Sequence, residues 1–192
     1  MPRSKKEFIE IHDQRKRHIM HTAMELFAND GYYTTSVAKI ARRAKISKGL
    51  MYHYFESKEA LVSAILDQGM EAMMTNIDQN NDGVLTRDEI ETLIRSIFQQ
   101  VTSNITYWKL YFSFVLQPAI HQIVTYRHKR TIDEQSKLLT DYFNKMGNPD
   151  AKIEALVFHS LIDGIAINYA IDPENFPLED CINYLIKKYV NS

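Results

Sequence analysis

The sequence predicts an all-α protein. Apolar residues recur at helical spacing along almost the whole chain, and no long stretch alternates in the manner of a strand. The one Asp-Gly pair, Asp82-Gly83, lies between two helical patterns rather than between β-rich runs. About nine helices are expected from 192 residues, enough for a small head and one larger core.

The first helix is expected over roughly 11–29, with Ile19, Ala23, Leu26 and Phe27 on one face and Gly31 as its breaker. Arg3, Lys5 and Lys6 precede it as a basic tail or as an arm for the DNA minor groove. Two short helices follow at about 36–43 and 47–53. Thr35-Ser36 opens the first, ahead of Val37, Ile40, Ala41 and Ala44; Lys45-Ile46 turns into Ser47, which caps the second. Further helices are expected at about 57–77, 87–103, 105–117 (ending at Pro118) and 120–145 (stopped by Gly147-Asn148-Pro149). The last two span 150–171 and 178–190, separated by Asp172-Pro173 and Pro177.

Two short helices joined by a tight turn form the unit that lays its second helix in the DNA major groove. Charge agrees with that use. Residues 1–61 hold 12 Lys/Arg and 7 Asp/Glu, whereas the rest hold 11 and 17. A basic head on an acidic body suits one end that meets a polyanion.

The motif Arg17-His18-Ile19-Met20-x-x-Ala23-x-x-Leu26-Phe27-x-x-x-Gly31-Tyr32, then Thr35-Ser36-Val37-x-x-Ile40-Ala41, then Ile46-Ser47-Lys48-Gly49-x-Met51-Tyr52-x-Tyr54-Phe55-x-Ser57-Lys58-Glu59-x-Leu61 resembles the TetR family of bacterial regulators. The resemblance implies a helix-turn-helix DNA-binding domain over residues 1–60. It also implies a helical ligand-binding and dimerisation domain over 61–192. The implied function is a ligand-responsive regulator, most simply a repressor, that binds a palindromic operator as a homodimer in the cytoplasm.

Chemistry gives each position of the head a task. Thr35 and Ser36 offer hydroxyls and N–H groups to phosphate at a helix start. Ser47 caps the recognition helix, and Lys48 reaches phosphate or base edges. Gly49 admits a close backbone approach to DNA. Leu50 points outward and meets a thymine methyl, where the family often has a small or polar residue. Tyr52 and His53 resemble the family's phosphate-contacting pair, and Lys58 is expected to reach backbone phosphate. Met51, Tyr54 and Phe55 read as core, and Arg42 and Arg43 as general attraction or plain surface.

In the body, the family implies an inducer pocket. The candidates are Met70, Met73, Met74, Tyr107, Trp108, Tyr111, Phe112 and Phe114, which suit an apolar or aromatic molecule and equally suit plain core. The dimer seam is expected on the last two helices, at Leu156, Val157, Leu161, Gly164 and Ile165 and at Ile182, Leu185 and Ile186.

Residues 78–89, Asp78-Gln79-Asn80-Asn81-Asp82-Gly83-Val84-Leu85-Thr86-Arg87-Asp88-Glu89, resemble an EF-hand calcium loop and lie outside the usual TetR pattern. Asp78, Asn80 and Asp82 supply side-chain oxygens, Val84 a carbonyl, Thr86 a hydroxyl and Glu89 a bidentate carboxylate. The competing reading is an ordinary turn with Thr86 or Asp88 near the start of the next helix.

Other functions find little support. No Gly-rich phosphate loop, nucleophile elbow or HExxH motif is present, so no enzyme is expected and no cofactor is required beyond possible calcium. His18 and His21, and His121 and His128, lack a third metal ligand. Cys181 is the single cysteine, no signal-like segment follows the basic N-terminus, and no membrane span is expected. A helical calcium- or small-molecule-binding module without a DNA role is the alternative.

Overall fold

The computed structural model describes residues 5–74, 77–127 and 129–191; the side chains of 5, 6, 72–74, 124, 125 and 127 lie outside the description. The described residues form ten helices and no strand. They are α1 (Lys5–Asp30), α2 (Val37–Arg43), α3 (Lys48–Tyr54), α4 (Lys58–Met74), α5 (Arg87–Ser103), α6 (Ile105–Val115), α7 (Pro118–Arg127), α8 (Lys129–Lys145), α9 (Ala151–Ile171) and α10 (Leu178–Tyr189). The expected helix at 120–145 is thus described as α7 and α8, on either side of residue 128. α1 begins earlier than expected, at Lys5, so the backbone of Lys5 and Lys6 is helical rather than a loose arm. Arg3 lies outside the described residues.

The chain divides into two compact units, one of residues up to Gly69 with Leu110–Thr125, the other of Met70–Lys109 with the residues from Tyr126 onward. In the first unit, Ile19, Ala23, Met24 and Phe27 of α1 are buried with Ile40, Ala41, Met51, Phe55, Leu61, Val62, Ile65 and Leu66. α1 stops where Gly31 turns to φ +86 and donates its N–H to Phe27 O. α2 stops at a similar reversal, but a lysine makes it. Lys45 adopts φ +56, and Ile46 N–H returns to Ala41 O at 3.0 Å. The reversal aims α3 across α2, the geometry of a helix-turn-helix.

In the second unit, α5 buries Ile90, Leu93, Ile94, Ile97, Phe98 and Val101, one stripe at helical spacing. α9 buries Ala151, Ala155, Phe158, Ile162, Ala166 and Ala170; the alanines let α8 lie close against it. Phe143, Phe158 and Tyr189 meet edge to face, with centroids 4.9–6.0 Å apart, and Tyr142 Oη donates to Tyr189 O at 2.7 Å.

α9 is 21 residues long, and an 18-residue window of it has a mean hydropathy of 1.2, enough by length and composition to cross a membrane. Its apolar character has a simpler source: one face is core, and a second face carries Ile153, Leu156 and Val157 outward.

Candidate nucleic-acid interface

The recognition surface is built from two serine-capped helices. Ser36 accepts the Lys39 N–H at 3.2 Å, and Ser47 accepts the Leu50 N–H at 3.0 Å. Each cap fixes the first turn of its helix and leaves the serine exposed. Along α3, Lys48, Gly49, Tyr52 and His53 are exposed, Leu50 is half-buried and Met51 is buried. The Lys48 ammonium lies 5.9 Å from the Tyr52 ring centre, and the His53 ring meets Tyr54 edge-on at 5.7 Å. Tyr54 in turn packs on His12 of α1, with ring centres 4.8 Å apart, so the end of α3 is propped from behind. A Cβ placed on Gly49 would meet only Ser47 Oγ, at 4.0 Å. The protomer leaves this glycine room for a larger side chain.

Two expected phosphate ligands are turned inward. Thr35 is fully buried and its hydroxyl donates to Leu26 O at 3.3 Å. The Lys58 ammonium donates to Tyr32 O at 2.9 Å and Thr35 O at 3.2 Å, and sits 4.0 Å over the Tyr32 ring. Here the charge neutralises carbonyls of the loop between α1 and α2 rather than pointing to solvent. Tyr32 Oη donates to Glu59 at 2.9 Å; burial first, then Glu59, pushes this phenol up to about 12. Glu59 is held below the usual carboxylate range, first by its own backbone N–H and then by Tyr32. No feature of the sequence pattern marks Tyr32 as the hub of this network.

The candidate pocket residues are distributed between the two units. Trp108 is buried in the second, donating Nε1–H to Gln100 O at 2.9 Å, and burial pushes the neighbouring Tyr107 up to about 12. Phe114 is core of the first unit, stacked on Phe27 with centroids 5.6 Å apart. Tyr111, also buried there, lies against Gly69, where any Cβ would collide with its ring. Phe112 and Met70 are half-buried, and the side chains of Met73 and Met74 lie outside the described residues. A cleft of about 430 Å³ in the second unit is lined by other residues, among them Phe143, Glu154, Lys188 and Tyr189.

The expected dimer residues separate in the same way. Leu156 (54% exposed) and Val157 face outward; Leu161, Gly164 and Ile165 are half-buried. Ile182, Leu185 and Ile186 are instead buried within the protomer, on the helix that packs on α5. Their spacing marked an apolar face correctly but not its partner. Ile153, at the same helical spacing, also faces outward, as do Ile171 and Tyr184, which the sequence reading missed.

The 78–89 loop is closed by its own side chains. Asp78 accepts N–H groups of Asp82 (3.2 Å) and Gly83 (2.8 Å), and Asp82 accepts that of Val84 (2.8 Å). Asn80 accepts Asp82 N–H at 3.0 Å. Asn81 and Gly83 take positive φ, +58 and +78. Leu85 is buried and Val84 exposed. Glu89 is buried, but its oxygens serve the start of α5. One accepts Thr86 N–H (2.9 Å) and hydroxyl (2.8 Å), the other Gln79 N–H (2.9 Å). With Thr86 accepting Glu89 N–H, this is a capping box. The Thr86 hydroxyl and N–H together hold the Glu89 carboxyl below its usual range. Among the described residues no three His, Cys, Asp or Glu side chains gather as a metal site.

Residues 19–65 match the profile of the bacterial regulatory proteins of the tetR family. The HTH-type transcriptional regulator YuxN of Bacillus subtilis (strain 168) is 38% identical over 91 residues, which are 45% of this chain and 31% of YuxN. The chain thus spans less than a third of that relative's length. The HTH-type transcriptional regulator BetI of Pseudomonas aeruginosa (strain LESB58) is 24% identical over 174 residues, 88% of each protein. Among solved structures, the fatty acid degradation regulator FadR from Bacillus halodurans superposes with a TM-score of 0.70 at 18% identity, over 93% of this chain and 95% of FadR, a likeness of fold. The likeness to the tetR family of bacterial regulatory proteins thus lies in the helix-turn-helix segment, residues 19–65.

Proposed function

We propose that the protein is a ligand-responsive repressor that binds a palindromic operator in the cytoplasm as a homodimer. The observation that carries this reading is the surface of α3, where a serine-capped helix start presents Lys48, Gly49, Tyr52 and His53 to solvent. A backbone that approaches DNA at Gly49, flanked by a cation and two hydrogen-bonding rings, suits major-groove docking. Two such heads related by a two-fold axis demand inverted half-sites. We keep the division into a DNA-binding part, 1–60, and a ligand-binding and dimerisation part, 61–192. The inducer is an apolar or aromatic small molecule, on the strength of the aromatic residues around α6; no enzymatic step and no membrane partner is part of this reading. The test is selection of genomic fragments by the full-length protein, followed by footprinting. Protection of an inverted repeat, released by a small molecule, is the expected result. Failure to protect any palindrome at moderate salt would favour a module without a DNA role.

A second reading concerns residues 78–89, for which we propose calcium binding. The twelve-residue pattern and the positive φ at Asn81 and Gly83 support it. Binding requires Glu89 to give up its capping bonds and turn its carboxylate to the ion. Calorimetry with calcium on the wild type and on Glu89→Gln tests it: no heat from the wild type up to millimolar calcium leaves the loop a turn.

A further inference from the structure

We propose that Gln117 is a positioning residue for operator recognition, its carboxamide holding the end of α1 and the loop that leads into the helix-turn-helix. Gln117 lies between α6 and α7. Pro118 follows it, so its backbone is excluded from the helix and its carbonyl caps α7, accepting N–H groups of Ile120 (2.9 Å) and His121 (3.0 Å). The side chain is spared that task and reaches to α1. Its Nε2 donates to Phe27 O at 2.7 Å, while its Oε1 accepts Tyr32 N–H at 3.0 Å. A weaker donation to Ser113 O, at 3.4 Å, steadies it from its own side.

Tyr32 N–H lies just past the end of α1, and Phe27 O, which already accepts Gly31 N–H, takes the carboxamide on its second lone pair. The carboxamide acts there as an extra peptide unit, donor and acceptor at once. Only Gln and Asn carry a carboxamide, with its N–H donor and C=O acceptor on one planar group, and Asn is one methylene shorter.

Tyr32 is also the residue whose carbonyl receives Lys58 and the Thr35 N–H, the latter at 3.4 Å. Gln117 therefore fixes the N–H side of the residue whose C=O side is fixed by α4. Four residues further on, Ser36 caps α2. Phe114, one turn before Gln117, stacks on Phe27 and brings the two segments together. α6 itself starts among residues of the second unit and ends among those of the first. Gln117 is thus a polar link between that helix's end and the segment that leads into the helix-turn-helix. An unclasped loop must be ordered when DNA binds, and that ordering opposes binding.

The inference rests on the DNA-binding reading, so the experiment separates the two. The full-length protein first selects a duplex from a random pool, and wild type and Gln117→Met are then compared on that duplex and on an unrelated one. Met keeps the length and loses both hydrogen bonds. Gln117→Glu is the second variant should Met fail to fold; it keeps the acceptor but sets a carboxylate oxygen against Phe27 O. The expected result is faster amide exchange at Tyr32 and operator affinity lower by about tenfold, with affinity for the unrelated duplex held within about twofold. A purely structural role would move both duplexes together or neither. Unchanged operator affinity with a freed Tyr32 amide overturns the proposal alone. A wild type that selects no sequence overturns the regulator reading and this one with it.

Discussion

At Gly49 and Lys58 the proposed DNA surface and the fold of the protomer make different demands on a side chain. Gly49 has room for a Cβ in the free protein, with Ser47 Oγ no nearer than 4.0 Å. Alanine there should leave folding unharmed and even favour the helix slightly. If DNA backbone comes close at this position, Gly49→Ala nevertheless lowers operator affinity by about tenfold or more, measured by anisotropy beside an unchanged melting curve. Lys58→Met should behave in the reverse sense. Its ammonium neutralises two carbonyls, so its loss destabilises the fold by about 1–2 kcal/mol in denaturant titration. The slope of log affinity against log salt should then stay as in the wild type; a slope smaller by about one would restore Lys58 as a phosphate ligand. The sequence pattern placed Lys58 beside the recognition helix but could not say which way a long flexible side chain would turn. Carbonyls left over by the α1–α2 loop decide that, and they exist only once the loop is folded. Gly69 was readable in principle, since a glycine inside a helical pattern signals close approach. Gly69→Ala drives a methyl into the Tyr111 ring and should cost about 1–3 kcal/mol of stability.

Short segments show where periodicity and capping rules succeed and where they stop. The start of α5 was foreseen as a turn residue followed by a helix, and the Thr86–Glu89 capping box supplies that start. Lys45 gave no warning, since a positive φ is rare for lysine and glycine is the residue that signals it. The capping box also sets a pH dependence. Glu89 titrates lower in the folded protein than in the unfolded chain, whose value is near 4.5. Its contribution is therefore complete above that value and fades as pH falls through the folded one. Glu89→Gln, which does not titrate, should lower stability at neutral pH by about 1 kcal/mol and flatten the acid limb of the stability curve. Equal acid sensitivity of the two proteins would show that the carboxylate contributes nothing. Calcium up to millimolar should raise the wild-type melting temperature and leave that of Glu89→Gln in place.

On the scale of the whole molecule, α9 carries an apolar surface that is exposed in the protomer among the described residues. Ile153, Leu156 and Val157 lie at i, i+3 and i+4, and Ile171 (72% exposed) continues the apolar surface at the far end. Gly164 stands between them, and a Cβ there would meet nothing within 4 Å. A glycine in the middle of a long helix weakens it by roughly 0.5–1 kcal/mol relative to alanine, and the protomer's own packing gives no reason for it. The homodimer proposed above would supply one, were a helix of a second copy to cross close at this point. The two classes of residue on these helices then respond in opposite ways. Leu185→Ala, inside the protomer, should destabilise the monomer unit itself by about 2–5 kcal/mol. Leu156→Glu places a charge on a surface already exposed in the protomer, so helical content should survive while the dimer dissociates and operator binding is lost. Gly164→Leu sharpens the comparison. It should strengthen the isolated helix, because leucine favours helix and meets no neighbour, yet weaken dimerisation by blocking the approach. Sedimentation equilibrium over a range of concentrations, run beside circular dichroism, reads the two effects separately. A Gly164→Leu protein that is both folded and dimeric at wild-type concentrations would place the interface on another face of the molecule.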